Sequence, residues 1–129
     1  EGEKPRVLVL EDDISAQMLL ERIVRPLDIE IEFVAEVGKG IEKLTEKTYH
    51  IIIADFHLEG EFNGDAFIEY HQWHAPWIPL ILTTTAQPGE TVKDRFNVDP
   101  KFALFFELPK PWSIEDVHGI LETALKAKR

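Results

Sequence analysis

The chain has 129 residues, a formal net charge of −10 and no cysteine, with 44% hydrophobic and 29% charged residues. That is enough chain for one domain around one core, and a composition that excludes a disordered segment. The missing cysteines exclude disulfides, cysteine-containing zinc sites and thiol catalysis, and the acidic excess argues against a nucleic-acid surface, since "LKAKR" near the C-terminus is too short to make a basic patch.

No apolar run approaches the roughly 20 residues that a membrane helix needs. The N-terminus shows no basic leader followed by an apolar stretch, so a cytoplasmic protein with no membrane contact is expected. An opening residue of Glu1 rather than Met is expected of a processed chain or of a piece of a longer one. There is no internal repeat or low-complexity linker, and residues 1–129 are read as a single domain.

In chain order, the first apolar run is "VLVL" at 7–10, which ends abruptly in Glu11, Asp12 and Asp13. Leu19, Leu20, Ile23, Val24 and Leu27 follow on one face of a first helix, with Asp13 better placed as its N-cap than as a metal ligand. "IEIEFVA" at 29–35 alternates, as an edge strand with Glu30 and Glu32 facing water would. Ile41 and Leu44 suit a second helix. "YHIIIA" at 49–54 is continuously apolar and then delivers Asp55. Phe67 and Tyr70 suit a third helix. "IPLILTTT" at 78–85 is the fourth strand, and "ALFFEL" at 103–108 leads into Lys110 and Pro111 as the fifth. Between them, 88–99 is the weakest helix, with few apolar anchors and a proline at each end. Ile114, Val117, Leu121 and Ala124 mark the last helix.

Strand and helix alternate five times, which predicts an α/β fold: a doubly wound, five-stranded parallel sheet, flavodoxin-like, in the order 2-1-3-4-5. Ligands of such sheets bind beyond the carboxyl ends of the strands. Those ends carry Glu11, Asp12 and Asp13, then Asp55, then Thr83, Thr84 and Thr85, then Lys110. Carboxylates gathered this closely repel, and a divalent cation relieves them. Mg²⁺ suits a few oxygen ligands and bridges readily to phosphate. Asp55 would then be free to attack phosphorus as a carboxylate nucleophile, with Lys110 and Thr85 neutralising the phosphoryl oxygens.

With these residues in this order, the chain resembles the receiver domain of bacterial two-component response regulators over nearly its whole length. The family's acidic pair matches Glu11 and Asp12 in "VLVLEDD", and its phospho-acceptor matches Asp55 in "IIIADFHL", 43 residues after Asp12. Its hydroxyl residue before a small one matches Thr85-Ala86, in preference to Thr84. Its lysine before a cis-type proline matches Lys110-Pro111, and its glycine after the third strand matches Gly64 in "FNGDAFI". The resemblance implies Mg²⁺ held by the side chains of Glu11, Asp12 and Asp55 and the backbone carbonyl of His57. It implies a phosphoryl donor that is a histidine kinase or a histidine phosphotransfer protein. It also implies an effector or homodimer contact through the face of the 88–99 helix, the fifth strand and the last helix. Such a domain is a phosphorylated conformational switch, at most catalysing its own phosphorylation and dephosphorylation.

Two departures stand out. The loop from Asp55 to Gly64 is one residue longer than the common pattern and lacks its usual proline. The aromatic switch residue, three before the lysine, is replaced by Glu107, and a shifted strand would be needed to bring Phe106 there. Glu107 is expected to stay solvated or to pair with Lys93, Arg95 or Lys101. It also keeps open a second reading, a pseudo-receiver that binds partners without phosphorylation. A flavodoxin-type cofactor binder would need a phosphate-holding loop where "EDD" stands, and an aspartyl phosphatase would need a second acid near Asp55, where His57 is the sole candidate.

Outside the strand ends, His71 and His74 lack an evident third ligand and are expected on a solvated or partly packed surface rather than on a metal. Trp73, Trp77 and Trp112 are expected to be packing residues.

Overall fold

The computed structural model describes residues 4–55, 64–84 and 105–127. Five parallel strands, β1 (Arg6–Leu10), β2 (Glu30–Val34), β3 (Ile51–Asp55), β4 (Leu80–Thr84) and β5 (Phe105–Pro109), form one sheet in the order β2-β1-β3-β4-β5. Among the described residues four helices accompany them: α1 (Ile14–Val24), α2 (Val37–Glu46), α3 (Gly64–His74) and α4 (Ile114–Lys126). The helix expected over 88–99 lies outside the described residues. Among those described, no helix is long and apolar enough to cross a membrane.

Strand periodicity of two splits the apolar runs between two cores. Leu8, Leu10, Ile52, Ala54, Leu80 and Leu82 pack with Val37, Phe67 and Ile68 under α2 and α3. Val7, Val9, Ile51, Ile53, Ile81 and Leu108 pack on the other side with Leu20, Ile23, Val24, Val117 and Leu121 under α1 and α4. A strand covered on both faces has no use for polar positions, which is why "VLVL" and "IIIA" read as unbroken. Each such side chain, once fully buried, contributes about 1.5–3 kcal/mol. The approach of α2 to β1 is close: a Cβ on Gly40 would stand 2.9 Å from Leu10 Cδ2.

Side chains bound to backbone begin α1 and α4, whereas Glu36 at the start of α2 makes no such bond. Asp13 is the N-cap of α1, accepting from Ser15 N at 2.9 Å, and Ser113 caps α4 by accepting from Asp116 N at 3.0 Å. Asp13 is therefore committed to the helix, as its position suggested.

Several expectations need correction. Leu19 and Ile114 are exposed, because the buried stripe of α1 runs through Ala16, Leu20 and Ile23, while Ile114 occupies the first turn of α4 ahead of Val117. Glu32 does not face open water. Its carboxylate accepts from Lys47 Nζ at 2.8 Å and from the Tyr49 hydroxyl at 2.7 Å. Trp73 and Trp77 are 76% and 56% exposed, and only Trp112 packs in the core. His71 is fully buried, with Nε2 2.6 Å from the carbonyl of Ile78, and burial holds its pKa below the ordinary histidine value. A neutral ring donating to that carbonyl satisfies both facts. His74 instead lies on the surface, stacked on Tyr70 at 4.6 Å between centroids. The two histidines point to different environments and form no metal pair.

Candidate functional site

Parallel pairing levels the ends of the central strands. Asp55 is the last residue of β3 and stands opposite Thr83, which in turn stands opposite Leu108 of β5. Glu11 follows β1, its N–H continuing the ladder to Val34 O at 2.9 Å. Lys110 follows Pro109, and its bond to Pro111 is cis.

These ends bring together side chains that lie far apart in the chain. Lys110 Nζ donates to Glu11 Oε1 at 2.9 Å and to Asp55 Oδ2 at 3.3 Å. Carboxylate oxygens of Glu11, Asp12 and Asp55 all lie within 4.8 Å of one another. Glu11 is built into the site, being 1% exposed. Its Oε2 accepts from Asp13 N at 3.1 Å, and its backbone carbonyl accepts from Gln17 Nε2 at 2.6 Å. Asp12 is exposed and Asp55 lies between the two.

Burial is the main influence on Glu11, pushing its carboxyl above the ordinary glutamate value, while the hydrogen bonds from Lys110 and the Asp13 N–H oppose it. Burial alone would lower the Lys110 ammonium. The hydrogen bond to Glu11 and the charges of Asp55 and Glu11 outweigh it, so the pKa is raised and the group stays cationic. The donors suit a hard divalent cation: three carboxylates, one of them open to water, can bind Mg²⁺ and leave it several water ligands.

The structure thus assembles Glu11, Asp12, Asp55 and Lys110. Thr85 and His57 lie outside the described residues, as do Lys93, Arg95 and Lys101. Thr83, expected as a plain strand residue, is buried with no hydrogen-bond partner on Oγ1 among the described residues. Sequence reading missed two contributors. Gln17 holds the Glu11 carbonyl, and Trp112 places its ring centroid 5.3 Å from Lys110 Nζ. Gln17 sits four residues after the cap of α1 and so returns to the strand end, a spacing that could have found it. Nothing in the order of residues separates Trp112 from ordinary packing.

Glu107 is half-buried and stands opposite Leu82. Phe106 packs in the core under α1 and α4 together with Leu108, on the other face of β5 from Glu107. β5 is not shifted, and Phe106 does not take the place three before the lysine.

Comparison with known proteins gives the family and the fold. The sequence pattern of the response regulator receiver domain matches residues 7–122, and the chain belongs to that family. It is 24% identical over 119 residues to the DNA-binding transcriptional regulator NtrC of Escherichia coli O157:H7, covering 92% of this chain and 24% of that protein. The chain spans about a quarter of the length of such curated relatives. Among solved structures, the signal receiver domain of an HD domain-containing protein from Pseudomonas fluorescens Pf-5 superposes with a TM-score of 0.82 at 18% identity, covering 97% of each chain. A CheY-like response regulator receiver domain protein from Methanospirillum hungatei JF-1 gives 0.81 at 18% identity, over 97% of this chain and 96% of that one. Both share the fold.

Proposed function

We propose that this chain is a cytoplasmic phosphoryl acceptor, taking the group on Asp55 from a histidine kinase or a histidine phosphotransfer protein and answering with a change of conformation. The observation that carries this reading is the Lys110 ammonium lying between Glu11 and Asp55 at 2.9 and 3.3 Å, beside three clustered carboxylates.

In this reading an Asp55 carboxylate oxygen attacks phosphorus, the bond from phosphorus to the donor nitrogen breaks, and an acyl phosphate results. Lys110, already in contact with Asp55, follows the charge onto the phosphoryl oxygens. Glu11 keeps the ammonium in place meanwhile, since its other oxygen is fixed by the Asp13 N–H. Glu11, Asp12 and Asp55, with the His57 carbonyl, would hold Mg²⁺, which when bound neutralises phosphoryl oxygens. Thr85 would read the phosphoryl group by a hydrogen bond. The output surface would be the face of the 88–99 segment, β5 and α4, offered to an effector or a second copy.

Acetyl phosphate with Mg²⁺ should add one phosphoryl mass to the chain, and Asp55→Asn should abolish it. Undiminished labelling of that variant would overturn the assignment. Glu107 favours a second reading, a binding module indifferent to phosphorylation. That reading, a pseudo-receiver that binds partners without phosphorylation, predicts no label on Asp55 from acetyl phosphate and no change in hydrogen exchange.

A further inference from the structure

Trp112 stands out because two of its features fit a packing role poorly. Its indole is buried under α4 with Leu108, Val117 and Leu121, yet Nε1 has no hydrogen-bond partner among the described residues. A phenylalanine would fill much of that space without stranding an N–H in the core. What an indole offers beyond phenylalanine is a more negative ring face, the best of the natural side chains for holding a cation. That ring lies 5.3 Å from Lys110 Nζ.

Lys110 needs such a support. Its four-carbon stem is flexible and its side chain is partly exposed, so the ammonium has a solvated alternative away from the acids. Glu11 and Asp55 attract it, but both are rearranged electrostatically when an anion is attached to Asp55. The indole is neutral and rooted in the core, and its pull on the ammonium survives that change.

Resting on the acceptor function above, we propose that Trp112 is a positioning residue: its ring face holds the Lys110 ammonium over the acidic pocket and so sets how tightly a tetrahedral phosphoryl-like anion is held on Asp55. It touches no reacting atom and acts through Lys110.

The test measures beryllofluoride affinity at saturating Mg²⁺ by NMR, using a chain whose tryptophans are replaced by progressively fluorinated analogues. Fluorine drains the ring face while leaving its shape nearly unchanged, so packing is preserved. Affinity should fall stepwise, by about three- to ten-fold at the highest fluorination. The same replacement in a Trp112→Phe chain, where Trp73 and Trp77 alone carry fluorine, should change nothing. In a double-mutant cycle, Trp112→Leu should weaken binding in the native background and have no further effect in Lys110→Met.

Affinity indifferent to fluorination overturns the proposal, as does an equal loss from Trp112→Leu in the Lys110→Met background, since either would make the ring mere packing. Both outcomes leave the acceptor function standing. If instead the native chain binds no beryllofluoride beyond what Asp55→Asn does, the acceptor reading falls and takes this inference with it.

Discussion

Replacing Lys110 with methionine keeps an unbranched stem but removes the ammonium 2.9 Å from Glu11 and 3.3 Å from Asp55. At an effective dielectric of about 20, each of these attractions is worth roughly 5 kcal/mol before any cost is counted. Much of that is returned, because the ammonium no longer has to be desolvated and solvent reaches its partly exposed side chain. The remaining penalty is a buried Glu11 carboxylate facing Asp55 without a cation, their oxygens within 4.8 Å. Repulsion at that distance and dielectric is about 3.5 kcal/mol for a fully charged pair. A net loss of about 2–3 kcal/mol is expected in the metal-free protein, in line with breaking a partly buried ion pair. Urea unfolding in the presence of a chelator measures it. Adding Mg²⁺ should then stabilise the variant more than the native chain, because a cation binding the folded state restores the missing positive charge. A variant as stable as the native chain without metal, or one whose deficit ignores Mg²⁺, would refute the claim that Lys110 neutralises this cluster.

Asp12→Ala should weaken Mg²⁺ binding and slow labelling by acetyl phosphate while leaving the unfolding midpoint nearly unchanged, since Asp12 is exposed; unaltered affinity in a Mg²⁺ titration would count against its role as ligand. Thr83→Val should stabilise by about 1 kcal/mol, because it removes a buried hydroxyl that has no partner among the described residues while keeping the shape; destabilisation in urea would reveal a hydrogen bond to that oxygen. The hydrogen bond from Lys47, followed by that from Tyr49, holds the Glu32 carboxyl below the ordinary glutamate value of 4.5. Its stabilising effect is therefore complete above that value and is lost as pH falls through the lower folded-state pKa. Glu32→Gln should be less stable at pH 7, with the difference closing on acidification, and a difference that persists unchanged into strong acid would overturn this account.

Much of the architecture is legible in the chain because it depends on local pattern. Unbroken "VLVL" and "IIIA" require burial on two faces, and alternating "IEIEF" marks an edge, so the strand order follows from composition along each run. The acidic strand ends are legible for the same reason. A carboxylate directly after four apolar residues is costly in the core, and a parallel sheet sends every such residue to one end.

What the pattern does not carry is which neighbour a side chain meets across the fold. His71 and Glu32 both read as surface groups, yet one bonds the Ile78 carbonyl inside the core and the other takes Tyr49 and Lys47 from beyond its own strand. Trp73 and Trp112 are the same residue type, one largely in solvent and the other beneath Lys110. The distinction between Phe106 and Glu107 rested on the register of β5 against β4, which a one-residue slip would have reversed. Local sequence determined which segments are strands and helices and which end of the sheet holds the acids, because periodicity and propensity act over a few residues. The pairing of Lys110 with Glu11 and Asp55 was decided by tertiary structure alone, because an electrostatic contact depends on distances of a few ångströms that only the packed sheet sets.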